Sequence, residues 1–130
     1  MKKIYKRQFK IWGYTVSHSF LILRSPMKYK DVVGFSEEES HNIDIEFFAV
    51  AYLDIPNILS GIELGEVKDN IPEKFKRYVK EHKYKVFEIK SEQNIYHIVA
   101  GGYSIGKNTW DIEDRISNMH LKHDEILFSI

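Results

Sequence analysis

Residues 42–53 read NIDIEFFAVAYL, and this stretch decides the fold. Ile43, Ile45, Phe47, Ala49, Ala51 and Leu53 alternate along one face, the period-2 signature of a β-strand. The other face begins polar with Asn42, Asp44 and Glu46 and turns apolar with Phe48, Val50 and Tyr52. A strand of this kind is covered along the whole of one side and along half of the other. It belongs in the interior of a sheet.

Working outward, residues 5–12 alternate with Tyr5, Phe9 and Ile11 on one face, interrupted by Arg7. Gly13-Tyr14 reads as a tight turn and residues 15–24 as the returning strand, stopped by Pro26, which has no N–H for a ladder. Residues 26–41 form a long polar connection, with Val32, Val33 and Phe35 around Gly34 as its only anchor. Asp54-Ile-Pro-Asn57 is turn chemistry, and residues 58–66 make a shorter strand. Pro72 to His82 reads as a helix. Asp69 and Asn70 precede it, Pro72 lies in its first turn, and Phe75, Tyr78, Val79 and His82 fall at i, i+3, i+4, i+7. Residues 84–90 and 94–103 pair around Ser91-Glu92-Gln93, and Ala100-Gly101-Gly102 suggests a bulge or a close backbone approach. Residues 109–119 read as a second helix burying Ile112, Ile116 and Met119, and residues 126–130 as a closing strand. The expected class is α+β: a mainly antiparallel sheet of six or seven strands in one domain, with one or two helices packed on it.

The 130 residues contain no cysteine, which excludes disulfides, thiolate nucleophiles and Cys-ligated metals. The basic beginning runs into no apolar core of the kind a signal peptide needs. The longest apolar run, 47–53, is too short for a membrane span. A cytoplasmic, non-membrane protein is the expectation. Charge is zero overall but divided along the chain: residues 1–30 carry eight Lys and Arg and no acid, and residues 31–69 carry ten acids against Lys68 alone. Such division points to an electrostatic partner or to two blocks that neutralise each other within the fold.

Five groups of residues invite a chemical reading. Ser17-His18-Ser19 invites a serine-hydrolase reading. On a regular strand, however, His18 points away from both serines, and no strained G-x-S-x-G turn presents a nucleophile. Arg24 ends one strand where Asp44 and Glu46 begin the next, so antiparallel pairing predicts an ion pair with one of them. That pair is either structural or the support of an anion-binding arginine. His120 and His123, three apart, have the spacing of a helical metal pair, with a third ligand needed from His41, His82 or His97. Gly101-Gly102-Tyr-Ser-Ile-Gly106 lacks the spacing of a phosphate cradle. Lys6, Lys10, Trp12 and Tyr14 could form a basic stacking surface for nucleic acid, although no RNA-binding signature accompanies them.

By elimination the sequence points to a non-enzymatic binding protein without cofactor, acting by protein–protein contact, in the manner of an inhibitor or immunity protein. Glu37, Glu38 and Glu39 of the acidic connection, with Arg24, Asp44, Glu46 and His18, are the candidate contact residues. The alternatives are nucleic-acid binding through the basic N-terminal hairpin and a small hydrolase or metal enzyme built on histidines.

Overall fold

The computed structural model describes residues 2–29, 31 and 36–130. Val32, Val33, Gly34 and Phe35 lie outside them, as does the side chain of Glu38. The strands are β1 (Lys3–Thr15), β2 (Phe20–Ser25), β3 (Asn42–Phe48), β4 (Tyr52–Asp54), β5 (Ile58–Val67), β6 (Lys85–Ser91), β7 (Asn94–Ala100), β8 (Gly102–Asn108) and β9 (Glu125–Ser129). A short helix, α1 (Lys76–His82), follows a 3₁₀ turn at Glu73–Phe75. No helix among the described residues is long and apolar enough to cross a membrane.

Among the described residues all strand pairs are antiparallel and join one nine-stranded sheet in the order β4-β7-β6-β5-β1-β2-β3-β8-β9. The protein is predominantly β, with more strands than the pattern predicted. The order also dictates a shape. β4 is first and β3 seventh, so a flat sheet would hold them about 29 Å apart at about 4.8 Å per strand. Phe48 and Tyr52 are four residues apart, a reach of at most about 14 Å. The sheet must therefore roll until its two ends share the same stretches of chain. β3 runs into β4 at 49–51, and β7 runs into β8 at Gly101.

The expected single strand over 42–53 is thus a bent one. Asn42 to Phe48 pair with Asn108 to Gly102, and Tyr52 to Asp54 pair with Val99 to His97, one residue out of step. Ala49 takes a left-handed conformation, φ 53°, at the bend. Gly101 N–H reaches Phe48 O at 2.9 Å across the corner, the close approach that Ala100-Gly101-Gly102 announced.

Inside the roll lie Phe9, Leu21, Leu23, Ile45, Phe47, Leu59, Leu64, Phe87, Ile89 and Ile105, all at 2% exposure or less. Phe47, Phe87 and Tyr103 pack with edge-to-face and tilted rings, 5.0–5.8 Å between ring centres. Arg7, which broke the alternation of β1, donates from Nη2 to the carbonyls of Ser25 (3.0 Å) and His41 (2.8 Å).

Three local readings need correction. Gly13-Tyr14 is not a turn: β1 continues to Thr15 with a bulge between Ile11 and Gly13. The turn comes at 16–19, with Ser19 at φ 48°. The helix predicted from Pro72 shrinks to α1 because Asp69 and Asn70 make no side-chain cap and Pro72 leads only into a 3₁₀ turn. Phe75, fully buried, anchors it on Val86, Val99, Ala51 and Tyr52. Residues 109–119 form no helix. Asp114 Oδ1 accepts from Ile116 N and Ser117 N at 2.8 Å each, and Asn118 Oδ1 from His120 N at 3.0 Å. Asp114 thus caps a single turn, closed by Asn118 N donating to Asp114 O at 3.1 Å, and the turn does not propagate into a helix.

Candidate functional site

The outward face of β2, β3 and β8 should meet water, yet Arg24, Asn42, Asp44, Glu46 and Asn108 on it are all buried. Residues 109–124 cross over them as a strap before returning as β9. β2 and β3 place Arg24 directly opposite Asp44. Arg24 Nε donates to Asp44 Oδ1 at 2.6 Å and Nη2 to Oδ2 at 2.9 Å, a two-pronged contact with both side chains fully buried. Arg24 meets Asp44 and not Glu46, and the pair is interior, where an exposed edge pair would have had little weight. Nη2 also reaches Glu113 O of the strap at 2.7 Å. The guanidinium lies over the Trp12 ring at 4.5 Å, with Trp110 at 6.0 Å on the strap.

Glu46 is held by the strap itself. Arg115 Nη1 donates to Oε1 at 2.8 Å, and His123 Nε2 sits 3.1 Å from Oε2. Asn108 joins the two halves. Its Oδ1 accepts from Asn42 Nδ2 (2.8 Å) and Trp110 N (3.1 Å), which makes Nδ2 the donor toward Asp44 Oδ2 (3.1 Å) and His123 Nδ1 (3.2 Å). The imidazole Nδ1 is then an acceptor and Nε2 carries the proton toward Glu46. Asn42 is fixed in turn, with Oδ1 on Met27 N at 2.7 Å. Trp110 stacks on the ring of His123 at 4.9 Å. Two guanidinium groups face two carboxylates, so the buried charges balance.

Asp44, Glu46 and His123 each offer a ligand atom within 4.8 Å of the others. The donors are already committed, however: both carboxylates to arginines, and the Nδ1 lone pair to Asn108. A cation there would have to displace bound cationic groups from a low-dielectric site, so the donor set does not fit a metal. His120 is exposed while the His123 side chain is buried against Glu46, so the candidate His120/His123 spacing is not used as a pair. His41 lies 3.8 Å from Asp124, and His97 packs on Phe75.

His18 is not separated from its neighbour as strand geometry required. In the turn, Ser17 Oγ lies 2.9 Å from His18 Nδ1 and 3.0 Å from Thr15 Oγ1. Ser17 and His18 are exposed and Thr15 half-buried, and among the described residues no carboxylate bonds to His18. His18 instead lines a cleft of about 340 Å³ with Phe20, Glu46, Phe48, Arg115 and Met119.

The charge division along the chain is not a division in space. Lys2 pairs with Glu63 (3.2 Å), Lys28 with Glu39 (3.1 Å) and Arg24 with Asp44. Glu37 is exposed. Trp12, a candidate stacking platform, already carries Arg24.

Arg115, His123, Asn42, Asn108 and the two tryptophans were not singled out from sequence for this centre. One signal was available. Asn42, Asp44 and Glu46 place three polar groups on one face of an interior strand, and an interior strand can hold them only with partners supplied from elsewhere. No protein-family model, curated protein or solved structure matches the chain.

Proposed function

We propose that the protein is a non-enzymatic binding protein that acts by protein–protein contact through the face formed by the 16–19 turn, β3, β9 and the strap. One observation carries this reading. The groups that could do chemistry are bonded to one another, while the cleft beside them is rimmed by exposed apolar side chains. Phe48 is 44% exposed and Met119 55%. Ser129 of β9 completes the lining on the far side. A cleft with an apolar rim is what a protein partner's anchoring side chain requires. Glu39 is spent on Lys28, so the acidic connection contributes Glu37 at the margin rather than the centre of the contact.

The test is capture from the native cell with wild type and with Phe48→Ser/Met119→Ser, followed by titration of any captured protein in purified form. A stoichiometric complex lost in the double variant but retained in Lys76→Ala, on the helical side, supports the reading. A complex indifferent to the double variant, or no complex at all, overturns it.

A further inference from the structure

We infer that the cleft at His18, Phe48 and Arg115 is a receptor for the C-terminal residue of a partner chain: an apolar side chain carrying a free carboxylate. This inference rests on the proposed contact function and names the chemistry of its centre.

Three observations converge on the cleft. The first is its division into walls and floor. Phe20, Phe48 and Met119 form apolar walls, and the Arg115–Glu46 pair lies in the floor. At about 340 Å³ it stands at the small end of ligand clefts, which run from about 300 to 1,000 Å³. It takes one side chain, not a helix.

The second is the imbalance of polar capacity. Both Glu46 oxygens have a partner, Oε1 in Arg115 and Oε2 in His123, and the side chain is only 2% exposed. Arg115 spends Nη1 on Glu46 and makes only a 3.4 Å contact from Nη2 to Met119 O, while about a quarter of its side chain stays exposed. A guanidinium has five N–H groups and no acceptor. With His18 at the rim and Ser104 and Ser129 in the lining, the unspent capacity of the cleft lies in N–H and O–H donors, Arg115 Nη2 foremost. It complements an acceptor with negative charge. An internal Asp or Glu would satisfy the floor and leave the walls empty, and an internal Phe or Leu would do the reverse. A chain terminus supplies both in one residue, and capture of a terminal carboxylate is an established recognition mode.

The third is strain. Ser19 (φ 48°) and Ala49 (φ 53°) are non-glycine residues in the left-handed region, and they flank the lining residues Phe20 and Phe48. Val50 N donates to Ser19 O at 2.9 Å, so the two strained turns are tied together. Strain of this kind persists where surrounding structure holds it, and it collects at binding sites.

The experiment uses the intact protein and three probes: a labelled octapeptide ending in Phe with a free carboxylate, the same peptide as its amide, and 3-phenylpropionate as competitor. Polarisation should show saturable binding of the free acid. The amide should bind about tenfold weaker or worse, the loss expected for one charge-assisted hydrogen bond. Met119→Glu places a carboxylate at an exposed wall position and should abolish binding while leaving the thermal midpoint near wild type. Arg115→Lys should weaken it, since a single ammonium cannot reproduce the planar fork. Equal binding of acid and amide, no saturable binding at millimolar peptide, or competition by 3-phenylpropionate as strong as by the peptide overturns the inference. If the peptides fail while a captured partner still depends on Phe48, the terminus receptor falls and the contact reading stands. If both fail, both fall.

Discussion

The imidazole of His123 lies flat on Gly106. A Cβ at position 106 would run into Cγ, Cδ2 and Nδ1 of the ring, so this glycine is needed for the space above it and not for its backbone. Gly106→Ala should lift His123 from between Trp110 and β8. Glu46 would then be left short of one partner inside the protein. The expected cost is about 2–4 kcal/mol, the range for breaking a buried polar network. Urea denaturation checks it, and Trp110 emission should change in the folded state. A loss below about 0.5 kcal/mol would mean that the strap accommodates the methyl group and does not depend on this contact.

Arg24 and Asp44 invite a double-mutant cycle. Arg24→Met leaves a buried carboxylate and Asp44→Leu leaves a buried guanidinium, so each alone should cost about 3–5 kcal/mol. The double variant removes both charges and should fall short of the sum by about 1–3 kcal/mol. Asn108 limits the recovery because it also donates to Asp44. Additive losses would show that the pair contributes no mutual stabilisation.

Strand identities were largely legible because alternation is a local signal, and Ile43, Ile45 and Phe47 do point inward. The roll was not legible, because it follows from which strands share an edge, and alternation says nothing of strand order. Arg24 could be narrowed to Asp44 or Glu46 because antiparallel pairing of consecutive strands sets the end of one beside the start of the next, but the long 26–41 connection does not fix the register that chooses between them. Arg115 and His123 could not be matched to Glu46, sixty-nine and seventy-seven positions away on a strap without period. Residues 109–119 misled for a related reason. Thr109, Asp111, Glu113 and Asp114 look like first-turn helix residues, yet only Asp114 caps a turn, closed by Asn118 N on its carbonyl, and that single turn goes no further. Ser17 and His18 misled in the opposite direction. A run of β-compatible residues hid a turn that depends on Ser19 adopting a positive φ.

Tyr103 provides a pH-dependent prediction. Burial in the aromatic core, with Tyr5 and Glu66 nearby, pushes its phenol up to about 12 from 10.0. The folded state therefore holds the proton over a range in which the unfolded chain releases it. Stability from this group is complete below pH 10 and is lost as pH rises toward 12. Tyr103→Phe should flatten the fall in stability across that window. Tyr5, also raised by burial, leaves a residual slope. Urea midpoints at pH 9, 10 and 11 check it. An unchanged slope would assign the alkaline loss to other groups.

Ala49 tests whether strain and binding are linked. At φ 53° its methyl group is held in a conformation that costs a non-glycine residue about 1–2 kcal/mol. Ala49→Gly removes that cost, offset by about 0.5–1 kcal/mol from the greater freedom of glycine in the unfolded chain. A net gain of up to about 1 kcal/mol in urea denaturation is expected. The same change frees the backbone beside Phe48, the wall of the cleft. If the strained bend sets the angle of that wall, the variant should be more stable and yet bind the free-acid peptide several-fold more weakly, the trade expected where stability was given up for a shaped site. Equal or tighter peptide binding by a stabilised Ala49→Gly protein would separate the bend from recognition and leave the strain a feature of the corner between β3 and β4 alone.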